Sequence, residues 1–449
     1  MNLPALCAVA LLAAPALAQE AADAGVSAES EEELKKELEG ALKADQKAPP
    51  GAPAPAAATS TDAAPAAPLM RGAQSLNPDM SVILDSDVGY QRRAPSFFNG
   101  DDPSLGAGPS TRALGLTVQE VELAFSAIVD PYFKGEVYLT IPNLSGIEVE
   151  EAFATTTSLP WNLQIKAGSF RSAFGRQNGQ HLHVQDFTRR PLINSAFLGT
   201  DGLRGPSLQV SWLAPLPFYL TLYGEATSQR FDVPAAPAAG TPPDPVRSFG
   251  NDGVRRPTLL AEAKAFFPLG EEWSLYTGTS FASGSSPGIT ILDDTGAAVS
   301  RGVGRDTALI GADAYLKWKP ANVSGGYESL AFQAEVVFRH FTANGDLADE
   351  WDGGAYAQVV AQVARRWFLG VRGDLIGLPT SSVTARTLRG ALSITWQGSE
   401  FSRLRAYAEY ERANAPPSGS LLPTLNPAGA FGAFLQLEFS IGAHGAHPF

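Results

Sequence analysis

Five arginines, Arg171, Arg176, Arg189, Arg190 and Arg204, fall within residues 171–205 against only Asp186 and Asp201. The surplus is positive, in a chain of 449 residues whose formal net charge is −13. Guanidinium groups crowded into a narrow, partly low-dielectric passage concentrate anions there. Each can also grip a carboxylate or phosphate through two parallel hydrogen bonds. A second chemistry is internal. Paired with acidic residues such as Glu120, Glu122, Glu148 or Glu150, the same arginines would pin their segment in place. Acid facing base across a passage also sets up a transverse field that orders water. The segment further contains His181-Leu182-His183 with Asp186, and His-x-His occurs in zinc sites. Exposed loop histidines are usually unliganded, so the expectation is no cofactor and no resident metal, with His181, His183 and Asp186 as the candidate ligands. His444 and His447 form a similar pair near the end of the chain. His340 is the one histidine in a strand-like stretch, and no Ser–His pair or paired-carboxylate motif stands out. Enzymatic activity is therefore not expected, although a hydrolase dyad assembled in space stays open as an alternative.

The elements that would position these residues are strands. No apolar run of eighteen residues follows the first segment of the chain, so a membrane signal must take the period-two form. Phe431, Ala433, Leu435, Leu437, Phe439 and Ile441 alternate with Gln436, Glu438 and Ser440. Phe133, Val137, Leu139 and Ile141 alternate with Lys134, Glu136, Tyr138 and Thr140, and Val121, Leu123 and Phe125 with Glu120 and Glu122. In a transmembrane barrel the apolar phase meets lipid and the polar phase a wet lumen. Glu120, Glu122, Lys134, Glu136, Glu148, Glu150 and Lys166 then belong to the lumen wall. The strands are expected near 80–90, 114–128, 132–142, 147–158, 161–170, 206–213, 217–228, 257–267, 272–283, 307–319, 328–342, 353–364, 367–376, 384–397, 400–412 and 430–441, which makes sixteen. Barrels of that size leave an aqueous channel.

Aromatic residues fix an orientation. Trp161, Trp212, Trp273, Trp318, Trp367 and Trp396 each lie beside a short connection, and Tyr132 and Phe133 follow another. Rings recurring at every other strand connection mark a belt at one membrane–water interface. The short turns then face the periplasm, and the long connections, rich in Gly, Pro, Asp and Ser, face outward. Upstream, residues 1–18 read as a signal peptide with an apolar run and a small-x-small site at Ala16-Leu17-Ala18. The single cysteine, Cys7, lies inside it. Residues 19–47 read as a short helix with coiled-coil potential, since Leu34, Leu38, Ala41 and Leu42 share a face. Residues 48–69 form a Pro/Ala-rich linker, and 70–449 an outer-membrane β-barrel with a constriction loop at 171–205.

Three segments carry a family resemblance: Val149-Glu150-Glu151-Ala152-Phe153-Ala154, then Asn162 to Phe170 with its Gly168-Ser169-Phe170 ending, then Ser172-Ala173-Phe174-Gly175-Arg176. Over roughly 114–215 the chain resembles the phosphate-selective porin O/P family. That resemblance implies a homotrimeric sixteen-stranded channel whose third loop folds inward to narrow the pore. The family's arginine and lysine ladder for phosphate has no evident counterpart in this sequence. The tail from Gly442 to Phe449 is also similar to chains labelled zinc-regulated TonB-dependent receptors. Such a receptor implies a large plug in a barrel of about twenty-two strands, for which this chain has no room. The expected function is passive diffusion of small hydrophilic solutes with anion, including phosphate, preference. Expected partners are outer-membrane lipid and lipopolysaccharide, the barrel-assembly machinery and small anionic or polar solutes. The negative charge argues against nucleic acid. The rival is a surface binding protein or receptor that uses the barrel only as an anchor.

Overall fold

The structure is a computed structural model. It describes residues 78–92, 112–144, 146–199, 201–228, 248–250, 256–292, 298–321, 327–345, 347–379, 384–414 and 429–442. The expected signal peptide, helix and linker, and His444 and His447, lie outside the described residues. The strands are β1 (Asp79–Arg92), β2 (Arg112–Asp130), β3 (Phe133–Pro142), β4 (Glu148–Thr156), β5 (Leu163–Arg171), β6 (Arg204–Leu213), β7 (Tyr219–Thr227), β8 (Thr258–Leu269), β9 (Trp273–Ser285), β10 (Ile289–Leu292), β11 (Ala298–Arg301), β12 (Asp306–Trp318), β13 (Ser329–Phe341), β14 (Glu350–Ala364), β15 (Trp367–Ile376), β16 (Thr387–Ser399), β17 (Ser402–Ala413) and β18 (Ala430–Gly442).

Sixteen of these close into one antiparallel barrel, with β1 paired to both β2 and β18. Closure satisfies every strand edge, which is what allows a sheet to sit in lipid. The expected strands are all present, displaced at their ends by a few residues. The exception lies in a connection expected to be loop, where β10 and β11 pair as a small separate ribbon.

The alternation of residue types sets the two faces. Leu114, Leu116, Leu208, Leu259, Leu392 and Ile441 are exposed on the outer face, as an apolar phase against lipid must be. Gln91, Glu122, Gln209, Glu262, Gln358 and Glu409 are buried on the inner face. The tryptophans gather at the short connections: Trp273 pairs across the ladder with Trp318, and Trp367 with Trp396. The turns are built by local chemistry. Asp130 Oδ1 accepts hydrogen bonds from the backbone N–H groups of Tyr132 (2.7 Å) and Phe133 (2.9 Å), closing the β2–β3 turn. Gly270, at φ +78° in open space, supplies the left-handed residue of the β8–β9 turn. An epitope inserted after Gly270 should be hidden from antibody in intact cells and reached once the outer membrane is opened. One inserted near Asp244 should be reached without opening it. Surface labelling at Gly270 would reverse the orientation.

In one respect the interior departs from expectation. The inner wall is not polar throughout: Leu260, Ala282, Leu309, Val337 and Ile376 of β8, β9, β12, β13 and β15 point inward and are buried. The connection between β5 and β6 supplies the reason. It folds into the barrel and packs Phe174, Leu192, Ile193, Phe197 and Leu198 against that stretch of wall. Apolar residues on the inner phase are therefore core, removed from water by a loop rather than by a second sheet.

Candidate functional site

Residues 172–203 form the candidate site. Sequence and ladder together explain how the loop leaves the wall. The last pairs of β5 and β6 are Phe170 with Gly205 and Arg171 with Arg204. One further bond, Ser172 N–H to Leu203 O at 2.8 Å, extends the neck inward. Asn178 then ties the legs together: its Nδ2 donates to Ser172 O (2.8 Å) and Leu203 O (3.0 Å), while its Oδ1 accepts from Leu203 N–H (2.7 Å). Beside the neck, Gly168 lies opposite Phe153 at φ +143°, where a Cβ would sit 2.2 Å from Ala152 O. That close approach seats the Lys166 ammonium 3.7 Å from the Phe153 ring centroid and 4.3 Å from that of Phe170.

The loop crosses the interior and is held on several sides. Gly175 N–H donates to Ser280 Oγ (2.9 Å), Gln177 N–H to Glu335 Oε1 (2.8 Å) and Leu192 N–H to Asp374 Oδ1 (2.9 Å). Thr188 Oγ1 donates to Gln436 Oε1 at 3.0 Å. Wall arginines cap loop carbonyls: Arg372 Nη1 donates to Arg189 O (2.8 Å), Arg405 Nη2 to Gln185 O (2.6 Å), and Arg403 to His183 O. A loop inside a barrel has backbone groups that must be satisfied away from bulk water, and inward polar side chains do this here.

The five loop arginines divide. Arg171 is buried and pairs with Glu150; its Nη2 is 3.4 Å from Asp201 Oδ1 and its Nη1 donates to Asp201 O at 2.7 Å. Arg189 Nη1 lies 2.6 Å from Glu409 Oε1, and Arg204 pairs with Asp201. These three are pinning contacts. Arg176 instead stacks its guanidinium 3.9 Å from the Tyr315 ring centroid, and no carboxylate lies within ion-pair distance of it among the described residues. Arg190 is buried and donates to Gln180 O at 3.4 Å. Burial, aided by the charge on Arg171, pushes its guanidinium down to about 10.

The expected wall residues take inward positions on β2 to β5. Glu122 is buried, Glu120 lies beside it, and Glu136 pairs with Lys134 at 3.0 Å near the turn end. Glu148 opposes Thr140 at the other end of β4 and is exposed. Glu150 is buried, and so is Glu151, which alternation alone would turn outward. A register shift opposite Tyr138 and Leu139 lets both carboxylates face in. Between them sits His181. Its Nδ1 is 3.0 Å from Glu122 Oε2 and 3.3 Å from Glu150 Oε2, and its Nε2 is 2.9 Å from Glu151 Oε1. Burial alone would push the imidazole down, but the carboxylates of Glu150 and Glu122 outweigh it and hold the ring well above its usual range. His183 Nδ1 is 3.3 Å from Glu122 Oε2. Asp186 is a correction to the expected histidine–aspartate grouping. It is exposed and accepts a hydrogen bond from Gln358 Nε2 at 3.4 Å, and Glu122 takes its place beside the two histidines.

The inner arginines of β13, β15, β16 and β17 were missed by sequence reasoning. Arg339 pairs with Asp352 (2.5 Å), Arg372 with Asp374 (3.0 Å), Arg389 with Glu411 (2.7 Å) and Arg403 with Glu438. Arg405 bonds Gln436 Oε1 at 3.0 Å. Their signal was the phase: Leu388, Leu392 and Ile394 point out of β16, so Arg389 points in.

No family model matches the chain. An uncharacterized protein of Aquifex aeolicus (strain VF5) is 32% identical over 406 residues, covering 83% of this chain and 80% of its own length. This chain belongs to the same family as that protein. Among solved structures, the anion-selective porin from Comamonas acidovorans superposes with a TM-score of 0.50 at 10% identity, over 81% of this chain and 99% of that one. The outer-membrane protein OmpT of Vibrio cholerae, in a trimer form, gives 0.52 at 8% identity, over 81% and 99%. The outer-membrane channel DcaP of Acinetobacter baumannii gives 0.51 at 11%, over 81% and 97%. The family member thus shares its fold, a closed sixteen-stranded barrel, with outer-membrane porins.

Proposed function

We propose that this protein is an outer-membrane porin, passing small hydrophilic solutes by passive diffusion with a preference for anions. The observation that carries the reading is the β5–β6 loop, folded into the barrel and bonded to strands on several sides, which narrows whatever passage the barrel leaves. Among the described residues two loop arginines, Arg176 and Arg190, have no carboxylate at ion-pair distance, and the anion preference rests on the less buried of them, Arg176. The anion selectivity of the Comamonas porin and the resemblance to phosphate-selective porins point the same way, and phosphate is the finer form of the proposal. A homotrimer, a lipopolysaccharide-bearing outer leaflet and delivery by barrel-assembly machinery belong to the same reading. A second reading, a binding protein anchored by its barrel, draws support from the apolar packing of the loop against the wall, which fills part of the lumen.

Planar-bilayer recording separates them. Purified protein should give discrete conductance steps, with a reversal potential in a salt gradient that reports anion selectivity. Arg176→Gln should move that potential toward cation selectivity at low salt, and the shift should shrink at 1 M salt, where the screening length is about 3 Å. Phosphate should compete with chloride for passage. Absence of conductance steps would favour the anchor reading. An unchanged reversal potential in Arg176→Gln would remove Arg176 from the selectivity mechanism.

A further inference from the structure

We infer that the loop tip and the β2–β4 wall together form a binding site for a divalent first-row transition-metal ion of the zinc class, held by His181, His183, Glu122 and Glu150. The inference stands apart from the channel reading, because it concerns binding and not conduction.

The donor set is gathered from three separate segments. Glu122 comes from β2, Glu150 from the irregular stretch of β4, and the two histidines from the loop. One ligand atom each from Glu122, His181 and His183 lies within 4.8 Å of the others, and all three residues are buried. The spacings suit a shared ion. Nitrogen and oxygen donors bound at about 2.0–2.1 Å in a tetrahedron stand about 3.3–3.4 Å from one another. Here His181 Nδ1 is 3.3 Å from Glu150 Oε2 and 3.0 Å from Glu122 Oε2, and His183 Nδ1 is 3.3 Å from that same Glu122 oxygen.

Two further observations point to a cation. Glu122 Oε1 is buried with no hydrogen-bond partner, and Glu150 Oε2 meets only the His181 nitrogen, at 3.3 Å. Buried carboxylate oxygens in that condition are costly, and a metal ion is one of the few groups that relieves them. The second observation is the far nitrogen of His181. Its Nε2 meets Glu151 Oε1 at 2.9 Å. A carboxylate on the distal nitrogen fixes the tautomer that frees Nδ1 for the ion and raises its basicity, the usual arrangement around a metal-bound histidine. The bulge that turns both Glu150 and Glu151 inward supplies one carboxylate as ligand and the next as its support.

The donor chemistry selects the class of ion. Two imidazoles with carboxylate oxygens suit zinc, cobalt, nickel or copper; magnesium and calcium take all-oxygen shells. The rival explanation of the same geometry is a doubly protonated His181 bridging Glu122 and Glu151 as a buried ion pair. That arrangement requires no metal and leaves His183 without a ligand role.

The test is calorimetric titration of Zn²⁺ into the refolded, chelator-treated full chain in detergent, without an affinity tag. The expected result is one saturable ion per chain, with affinity lowered at least tenfold by His183→Ala and by Glu122→Gln. Co²⁺ bound to the unaltered chain should show the intense visible absorption of a four-coordinate site, a readout that needs no variant to fold. Ca²⁺ and Mg²⁺ should not compete. The chain carries five histidines, so Zn²⁺ binding that survives His181→Ala/His183→Ala undiminished would assign the ion elsewhere and overturn the site. Absence of saturable binding, or a Co²⁺ spectrum of purely six-coordinate character, would overturn it as well and leave the ion-pair explanation.

Discussion

Replacement of Arg171 by Gln should destabilise the folded barrel and turn a quiet channel noisy. Arg171 sits at the end of β5 with its side chain 2% exposed, paired with Glu150 and bonded to Asp201 through both side-chain and backbone oxygens. Glutamine can still donate to one of these acceptors, but it takes the guanidinium from Glu150 and leaves it only the His181 imidazole. Breaking a buried ion pair from one side costs about 3–5 kcal/mol, because the partner stays charged and buried. The damage falls at the neck of the loop, which Arg204, Asn178 and the Ser172–Leu203 backbone bond continue to tie. The temperature at which the heat-modifiable species is lost should therefore drop, and single-channel records should fluctuate more, with a larger mean current. Selectivity should change little, since the charge removed was already neutralised. Arg171→Lys, which keeps the charge and loses the forked geometry, should recover part of the stability. A variant as stable and as quiet as the original would show that the neck is held by the Asn178 latch and the loop–wall hydrogen bonds alone.

Much of the barrel is legible in the sequence because one physical demand fixes it locally. Each strand must present an apolar phase to lipid, and short turns must bring neighbouring strands into register, so Phe431 to Ile441 or Val121 to Phe125 announce their faces without knowledge of the rest. The connecting chemistry is equally local, as at Asp130 and Gly270. The site is less legible because it depends on which strand lies opposite which part of the loop. Five arginines in one segment suggest a basic constriction, yet three of them are matched to Glu150, Glu409 and Asp201. Only one of those partners, Glu409, lies far along the chain, and nothing local reveals it. Glu151 hides for another reason. A bulge shifts the phase by one residue, and alternation read strictly turns its carboxylate to lipid. Leu260, Leu309, Val337 and Ile376 mislead in the opposite sense. They are apolar on the inner phase, which makes sense only once the loop is known to cover them. Asp186 is close in sequence to the histidines but faces Gln358, whereas Glu122, 59 residues from His181, faces the imidazole.

Excision of the loop should have the larger effect on conduction. Replacing 174–200 with a short Gly/Ser linker keeps the Ser172–Leu203 pair at the neck and leaves the closed sixteen-stranded ladder untouched. It removes Phe174, Leu192, Ile193, Phe197 and Leu198 from the interior, together with Arg176, Arg189 and Arg190. Conductance should rise severalfold, because the lumen of a barrel this size is wide enough for a water-filled channel once nothing crosses it. The wall should tolerate the change unevenly. Arg339, Arg389 and Arg403 keep their carboxylates on neighbouring strands. Leu260, Leu309, Val337 and Ile376 would meet lumen water, at a cost of about 1.5–3 kcal/mol for each fully buried side chain re-exposed. The excised barrel should therefore conduct more, unfold at lower temperature, and regain stability when those four positions are made polar. That last rescue separates the loop's two duties. If polar substitution restores stability while conductance stays high, the apolar inner wall exists to hold the constriction. If conductance does not rise on excision, the loop is not what limits flow, and the basis for reading this barrel as a constricted channel is lost.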